Sequence, residues 1–192
     1  VQTIPASIEQ ELTTPEEVKF FINTLKNSKA PGLDGINSIM LKKMTATFFK
    51  VITEIFNWCL KNGYFPKLFK TAKVVPILKP GKEAKSPKSY RPISMLNCLD
   101  KVLVLNRLNT FTEDNNILQK EQFGFRKDQS TVHQVKRIVN FISNNKSSRK
   151  STGIVFLDIE KAFDSIWHNG LIYKLHLFGY PIYIQKLIQS FL

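Results

Sequence analysis

Apolar positions along this 192-residue chain switch between helical spacing and strand-length runs. Thr14-Pro15-Glu16-Glu17 reads as a helix start. Threonine is the N-cap, proline takes the first helical position where its missing N–H is no loss, and Glu17 is placed to close a capping box. Val18, Phe21, Ile22 and Leu25 follow at helical spacing as a core-facing stripe. The helix is predicted to stop near Lys29, because Ala30-Pro31-Gly32-Leu33-Asp34-Gly35 cannot continue it. From Asn37 to Leu60, the positions Met40, Met44, Phe48, Val51, Ile52, Ile55, Phe56 and Cys59 support one long helix or two shorter ones, with Trp58 packed among them and a stop near Gly63.

Thr71–Lys79 and Tyr90–Leu96 are apolar runs flanking the polar stretch Pro80–Ser89, which predicts a β-hairpin with a basic tip. Pro76 and Pro92 lie inside the runs, so these are expected to be edge strands or strands with interrupted pairing. Helices are predicted after Asn97, through Leu99, Val102, Leu103 and Leu108, and from Ser130, through Val132, Val135, Val139 and Ile142. Asn144–Thr152 is polar, basic and serine-rich, a predicted loop. It leads into Gly153-Ile154-Val155-Phe156-Leu157-Asp158, an apolar run of strand length that ends on a carboxylate. Helical segments around Leu171–Leu177 and from Pro181 onward close the sequence, with no internal repeat and no linker that divides two autonomous domains.

A hydrophobic content of 43% with 22% charged residues fits a globular protein. No apolar stretch reaches the ~18 residues that suggest a membrane span, and the start at Val1 has no basic-then-apolar leader pattern. The chain is expected to be soluble, unexported and a fragment, ending on the apolar Phe191-Leu192 of a helix. Cys59 and Cys98 sit among apolar neighbours without CxxC spacing, which points to buried structural thiols. Against 15 acidic residues stand 28 Lys and Arg, a net +13 that repels itself unless a polyanion accepts it. Nucleic acid is the leading partner; an anionic membrane is the weaker one, since the basic residues do not line one face of an apolar helix. Lys61, Lys67, Lys70, Lys73, Lys79, Lys82, Lys85, Lys88 and Arg91 are opposed in their stretch by Glu83 alone, and a solvated surface explains part of that run.

His133, His168 and His176 have no HExxH spacing and no nearby cysteine, and the P-loop, dinucleotide-binding and nucleophile-elbow glycine motifs do not occur. Phosphate then has to be met by lysine and arginine. Phe156-Leu157-Asp158-Ile159-Glu160-Lys161-Ala162-Phe163-Asp164 places acids directly after the predicted strand, where hard oxygen donors suit Mg²⁺. An aspartate that ends a strand and caps the next helix is the competing reading, and spacing alone leaves both open.

That segment resembles motif A of reverse transcriptases, in the form found in the jockey-like group of non-LTR (LINE-type) retrotransposons. Other stretches resemble the family in the same order. Leu25-Lys26 through Lys29-Ala30-Pro31-Gly32-Leu33-Asp34-Gly35-Ile36 is similar to its early signature. Lys73–Lys82 and Ser89-Tyr90-Arg91-Pro92-Ile93-Ser94 resemble its fingers hairpin. Gln122-Phe123-Gly124-Phe125-Arg126 with Ser130-Thr131 resembles the next block, and Phe156 to Trp167-His168 resembles motif A.

The resemblance implies an RNA-directed DNA polymerase that uses two Mg²⁺ ions (Mn²⁺ as a substitute), a dNTP substrate, an RNA template and a DNA primer. Asp158 takes the place of a catalytic metal ligand, with the backbone carbonyl of Ile159 assisting. Phe163 matches the aromatic residue that underlies the incoming sugar and rejects a 2′-hydroxyl; a core phenylalanine is the alternative. Asp164 is read as structural. Arg91 and Lys79 match fingers positions that close over the triphosphate, and Lys82 is the alternative to Lys79 at the hairpin tip. Arg126 and Lys127 suit template backbone contact with stacking nearby, or else a packed Phe pair with solvated charges. The Ala30–Ile36 signature is either a turn fixed by its glycines or a template contact.

The family's other two metal-binding carboxylates lie in a Tyr-x-Asp-Asp turn, and this sequence has no adjacent Asp-Asp pair. Neither its template-grip motif, its thumb nor the endonuclease domain of this group occurs here. The expected fold is therefore α+β: the fingers and part of the palm of a right-hand polymerase, helix-rich, with a β-hairpin and a truncated palm sheet whose edges expose apolar surface. Residues 1–150 would form fingers and the fingers/palm connection, and 151–192 the start of the palm with motif A. Polymerase activity of this chain alone is expected to be near zero. The alternative is a non-catalytic RNA- or DNA-binding remnant. Family habit places it in nucleus and cytoplasm.

Overall fold

The structure, a computed structural model, describes residues 12–192 except Lys29, Lys127, Glu160 and Lys161, and excludes the side chains of residues 100, 101 and 103–106. The expected template contact of Lys127, the helix end at Lys29 and the core role of Leu103 thus lie outside the described residues.

Helix α1 (Pro15–Thr24) has the predicted N-cap and first-position proline, with Thr14 Oγ1 accepting the Glu17 N–H at 3.2 Å, while the Glu17 carboxylate accepts from Arg107 at 3.1 Å. It ends sooner than predicted, because Lys42 Nζ takes up the Leu25 carbonyl and the Asn27 side-chain oxygen, each at 2.7 Å. A cation there also meets the negative end of the helix dipole. The next helical stretch is two helices, α2 (Ser38–Lys42) and α3 (Ala46–Asn62), because it has two N-caps: Asn37 accepts from Met40 and Thr45 from Phe48. Helix α3 closes at Gly63 in the left-handed conformation, where the Tyr64 N–H bonds the Cys59 carbonyl and the Gly63 N–H bonds that of Leu60. One turn of helix, α4 (Lys67–Lys70), precedes the hairpin.

Strands β1 (Lys73–Leu78) and β2 (Tyr90–Met95) pair antiparallel with Pro76 opposite Pro92. The Lys79 N–H bonds the Ser89 carbonyl at 2.8 Å, and this sets the alternation of the ladder. Three residues further on, the two prolines occupy a non-hydrogen-bonded pair, whose N–H positions point away from the partner strand. Their missing donors therefore cost the ladder nothing, which is how a two-stranded sheet accommodates both.

Helix α5 (Cys98–Asp114) follows, then α6 (Thr131–Ser147), α7 (His168–Leu177) and α8 (Ile182–Phe191). The main core joins Val18 and Ile22 of α1, Leu41 of α2, Phe49, Ile52, Phe56, Cys59 and Leu60 of α3, Cys98, Leu99 and Val102 of α5, and Leu187 of α8. Phe65 lies in it too, with its N–H donated to Ser190 Oγ at 2.9 Å and its ring edge-on to Phe191. Asn57 is buried and exchanges two hydrogen bonds with the Thr13 backbone, tying the chain's entry to α3.

Three expectations are corrected. Val51, Ile55 and Trp58 lie on the outer face of α3, exposed rather than in the core. The stripe Val132, Val135, Val139 and Ile142 of α6 is also exposed, and no described residue of that helix is buried. The strand predicted over 153–158 is not formed: residues 151–159 carry no regular structure, and the only sheet among the described residues is the β1–β2 hairpin. A strand needs a neighbouring backbone to take its N–H and C=O groups, and no described segment supplies one. The truncated palm sheet is thus absent from the described residues. The fold stands as helix-rich with a two-stranded antiparallel sheet.

The chain divides into two compact units, one made of residues up to Phe111 together with His168–Leu192, the other of Thr112–Trp167.

Candidate nucleotide and nucleic-acid site

The first unit carries the basic hairpin. Arg91 is exposed and stands opposite Ile77. Alternation along the strands puts Lys73, Lys79 and Arg91 on one face, with Lys79 the diagonal neighbour of Arg91. The Lys79 ammonium donates to the Lys88 carbonyl at 2.8 Å, and the Lys82 N–H bonds the Lys79 carbonyl at 3.2 Å. Tyr90 OH reaches back to the Ala84 carbonyl at 3.1 Å. These bonds shape the tip while Lys82 stays exposed.

The root of the hairpin involves a residue that the sequence did not single out. Asn97, buried between β2 and α5, donates its amide to the Leu68 carbonyl at 3.2 Å. Gly32 lies against it so closely that an added Cβ would come within 2.8 Å of both the Asn97 Cα and backbone nitrogen. Gly35 has φ +69°, and Asp34 Oδ1 accepts the Ile36 N–H at 3.0 Å to close the turn. The Ala30–Ile36 signature is thus a turn fixed by its glycines, seated against the base of the hairpin. A lone asparagine after a strand carries no pattern that flags this role.

In the second unit, Asp158 and Ile159 lie exposed at the end of the segment 151–159. Among the described residues after Asp158, 162–165 are turns and the first helix is α7 from His168. Phe163 is 76% exposed, which removes the core alternative for it in this structure. Its ring stands edge-on to Phe125, with centroids 6.1 Å apart and planes at 82°. Arg126, next to Phe125, is partly buried and donates to the Gln119 carbonyl at 3.2 Å. The structure therefore joins the Gln122–Arg126 block to the motif that contains Asp158.

For a divalent metal, the carboxylate of Asp158 and the carbonyl of Ile159 are donors of the right hardness. Among the described residues, no group of three or more His, Cys, Asp or Glu could hold a metal ion. The donor chemistry fits and the donor number is incomplete. Both cysteines are free and buried, and burial pushes the Cys59 thiol up from its ordinary value.

The first unit thus presents a basic two-stranded hairpin, and the second a solvent-facing carboxylate and an exposed aromatic pair. The chain belongs to the reverse transcriptase (RNA-dependent DNA polymerase) family, whose sequence model matches residues 77–192. It is similar to the RNA-directed DNA polymerase from mobile element jockey of Drosophila funebris, 41% identical over 181 residues, which is 93% of this chain and 20% of that protein. The jockey polymerase of Drosophila melanogaster is 38% identical over 189 residues, covering 97% of this chain and 20% of the relative. The probable RNA-directed DNA polymerase from transposon BS of the same fly is 40% identical over 172 residues, 88% and 19% of the two chains. The chain thus spans about a fifth of the length of these relatives. Among the described residues, no helix is long and apolar enough to cross a membrane.

Proposed function

We propose that this chain forms the fingers and the start of the palm of an RNA-directed DNA polymerase that copies retroelement RNA. Residues to about 150 are the fingers and their connection, and 151–192 begin the palm. Its partners are RNA template and DNA primer, its substrate a dNTP, and its setting nucleus and cytoplasm.

The collinear likeness to retrotransposon polymerases, running across nearly the whole chain, carries this reading. Asp158 and the Ile159 carbonyl would hold Mg²⁺ or Mn²⁺ together with the two carboxylates of a Tyr-x-Asp-Asp turn supplied by the rest of the protein, along with the remaining palm and the thumb. Such a pair would, when bound, supply the charge that lowers the pKa of the primer hydroxyl and steadies the leaving pyrophosphate. Arg91 and Lys79, or Lys82 in its place, neutralise the triphosphate from one face of the hairpin. Phe163 underlies the sugar and excludes a 2′-hydroxyl. Arg126 and Lys127 track the template backbone. With one carboxylate of the three, the chain alone does not polymerise.

A polymerase of Drosophila funebris jockey carrying this segment in place of its own tests the reading. The chimera is expected to extend a DNA primer on RNA, and Asp158→Asn to abolish extension while template binding persists. Extension that survives Asp158→Asn overturns the assignment. A second reading, a non-catalytic RNA- or DNA-binding remnant of a decayed or repurposed element, draws on the net charge of +13. It would leave the chimera inactive while RNA binding stays steeply salt-dependent.

A further inference from the structure

Phe125 is a bulky aromatic held where bulky residues seldom occur. Its φ is +58°, in the left-handed region, and its side chain is 98% exposed. Asn116, Asp128 and Arg149 are also left-handed in this unit; the first two are types that tolerate that conformation, and Arg149 directly follows a helix end, whereas Phe125 is a bulky ring in a turn. Hydrophobic burial does not explain it, since the ring is solvated. Strain of this kind persists where the surrounding structure over-determines it, and it gathers where geometry is used.

The surroundings do fix it. The Gln122 N–H bonds the Gln119 carbonyl at 3.1 Å, Arg126 donates to the same carbonyl at 3.2 Å, and the Gln129 N–H bonds the Arg126 carbonyl at 3.4 Å. A turn braced on both sides of residue 125 sets the ring's direction through the backbone. The ring meets Phe163 edge-to-face at 6.1 Å, the arrangement that aromatic quadrupoles favour. Phe163 in turn lies in a turn with no core behind it.

We propose that Phe125 is a positioning residue for sugar selection: it braces the ring of Phe163 edge-on, and so fixes the wall against which a ribose 2′-hydroxyl is tested. This rests on the reading of Phe163 given above. A lone exposed phenylalanine turns freely about its side-chain bonds and makes a yielding wall. A second ring on a rigid turn removes part of that freedom. Phe125 acts through Phe163 and is not itself a catalytic residue.

The test measures kcat/KM for a dNTP and for the matching rNTP in the jockey chimera. Phe163→Ala is expected to lower discrimination most. Phe125→Ala is expected to lower it about three- to tenfold, the scale of one edge-to-face pair, mainly through better use of rNTP. Phe125→Gly, which relieves the backbone, is expected to lose the same discrimination. Phe125→Tyr retains it, and the double alanine variant matches Phe163→Ala alone. If Phe163→Ala lowers discrimination while Phe125→Ala and Phe125→Gly change both substrates equally, the inference fails alone. If Phe163→Ala leaves the ratio unchanged, the sugar-wall reading falls, and the inference with it. In the 192-residue chain itself, Phe163→Ala is expected to shift the Phe125 ring-proton resonances. Unmoved resonances overturn the ring pairing without recourse to activity.

Discussion

Helices α3 and α6 have similar lengths and both carry apolar stripes, yet one is the centre of a core and the other lies bare. Phe49, Ile52, Phe56, Cys59 and Leu60 of α3 are buried against α1, α5 and α8. Val132, Val135, Val139 and Phe141 of α6 are exposed, as are Ile154, Val155, Phe156 and Leu157 after it. The contrast extends to the units: the buried hydrophobic residues all belong to the first, and none of the described residues between 112 and 167 joins them. Labour is thus divided within the chain. The first unit has a buried apolar core and presents a basic hairpin; the second carries the carboxylate and the aromatic pair with no buried hydrophobic residue among its described residues.

The sharpest way to break the comparison is truncation on each helix. Phe56→Ala is expected to cost about 3–5 kcal/mol of stability, as a large core ring removed among neighbours that cannot close the gap. Val139→Ala on α6 is expected to stay within about 0.5 kcal/mol, as at an exposed site. Chemical denaturation of the two variants checks this, and equal losses would erase the distinction. Gly32→Ala ranks next, at about 1–3 kcal/mol, because its Cβ meets the Asn97 backbone as well as that residue's side-chain oxygen. Thr14→Ala should cost about 1 kcal/mol through removal of the N-cap.

Charge gives a second axis. RNA affinity is expected to fall steeply with salt, and replacement of Lys79, Lys82, Lys85 and Lys88 by alanine to flatten the slope by about 0.7 for each phosphate that is no longer neutralised. An unchanged slope in a salt titration would remove the hairpin from the interface. The smallest effect concerns Cys59. A raised pKa means the folded state keeps the proton as pH rises through the ordinary thiol range, while the unfolded chain gives it up. Folded-state stability should therefore decline slightly at alkaline pH, and Cys59 should alkylate slowly below that range; rapid labelling of the native chain would contradict its burial.

Much of the first unit was legible in the sequence because its signals are local. Pro15, Gly63 and the two prolines of the hairpin act through their own backbone and Thr14 through a side chain that reaches three residues on, and each does in the structure what its type dictates. In the second unit the helix opening at Ser130 was legible, but not the exposure of its stripe. Periodicity identifies an apolar face but not what covers it, so α6 and residues 153–158 read like core elements and are not. Asn57, Asn97 and the Phe125–Phe163 pair join residues far apart in the chain, and no spacing rule marks them. Asp158 and Arg91 drew notice as a strand-end acid and part of a basic run, but their specific roles came through resemblance; periodicity alone does not distinguish Asp158 from any aspartate that ends an apolar run.

The most direct test of the central contrast is native-state hydrogen exchange on this chain, read amide by amide. Amides in the middle of α3, around Thr53–Phe56, are expected to exchange on the order of a thousandfold more slowly than those of Val135–Val139 in α6, relative to their unfolded rates. Equal protection of the two helices would show that the second unit is as well stabilised as the first, and would contradict the division drawn between them.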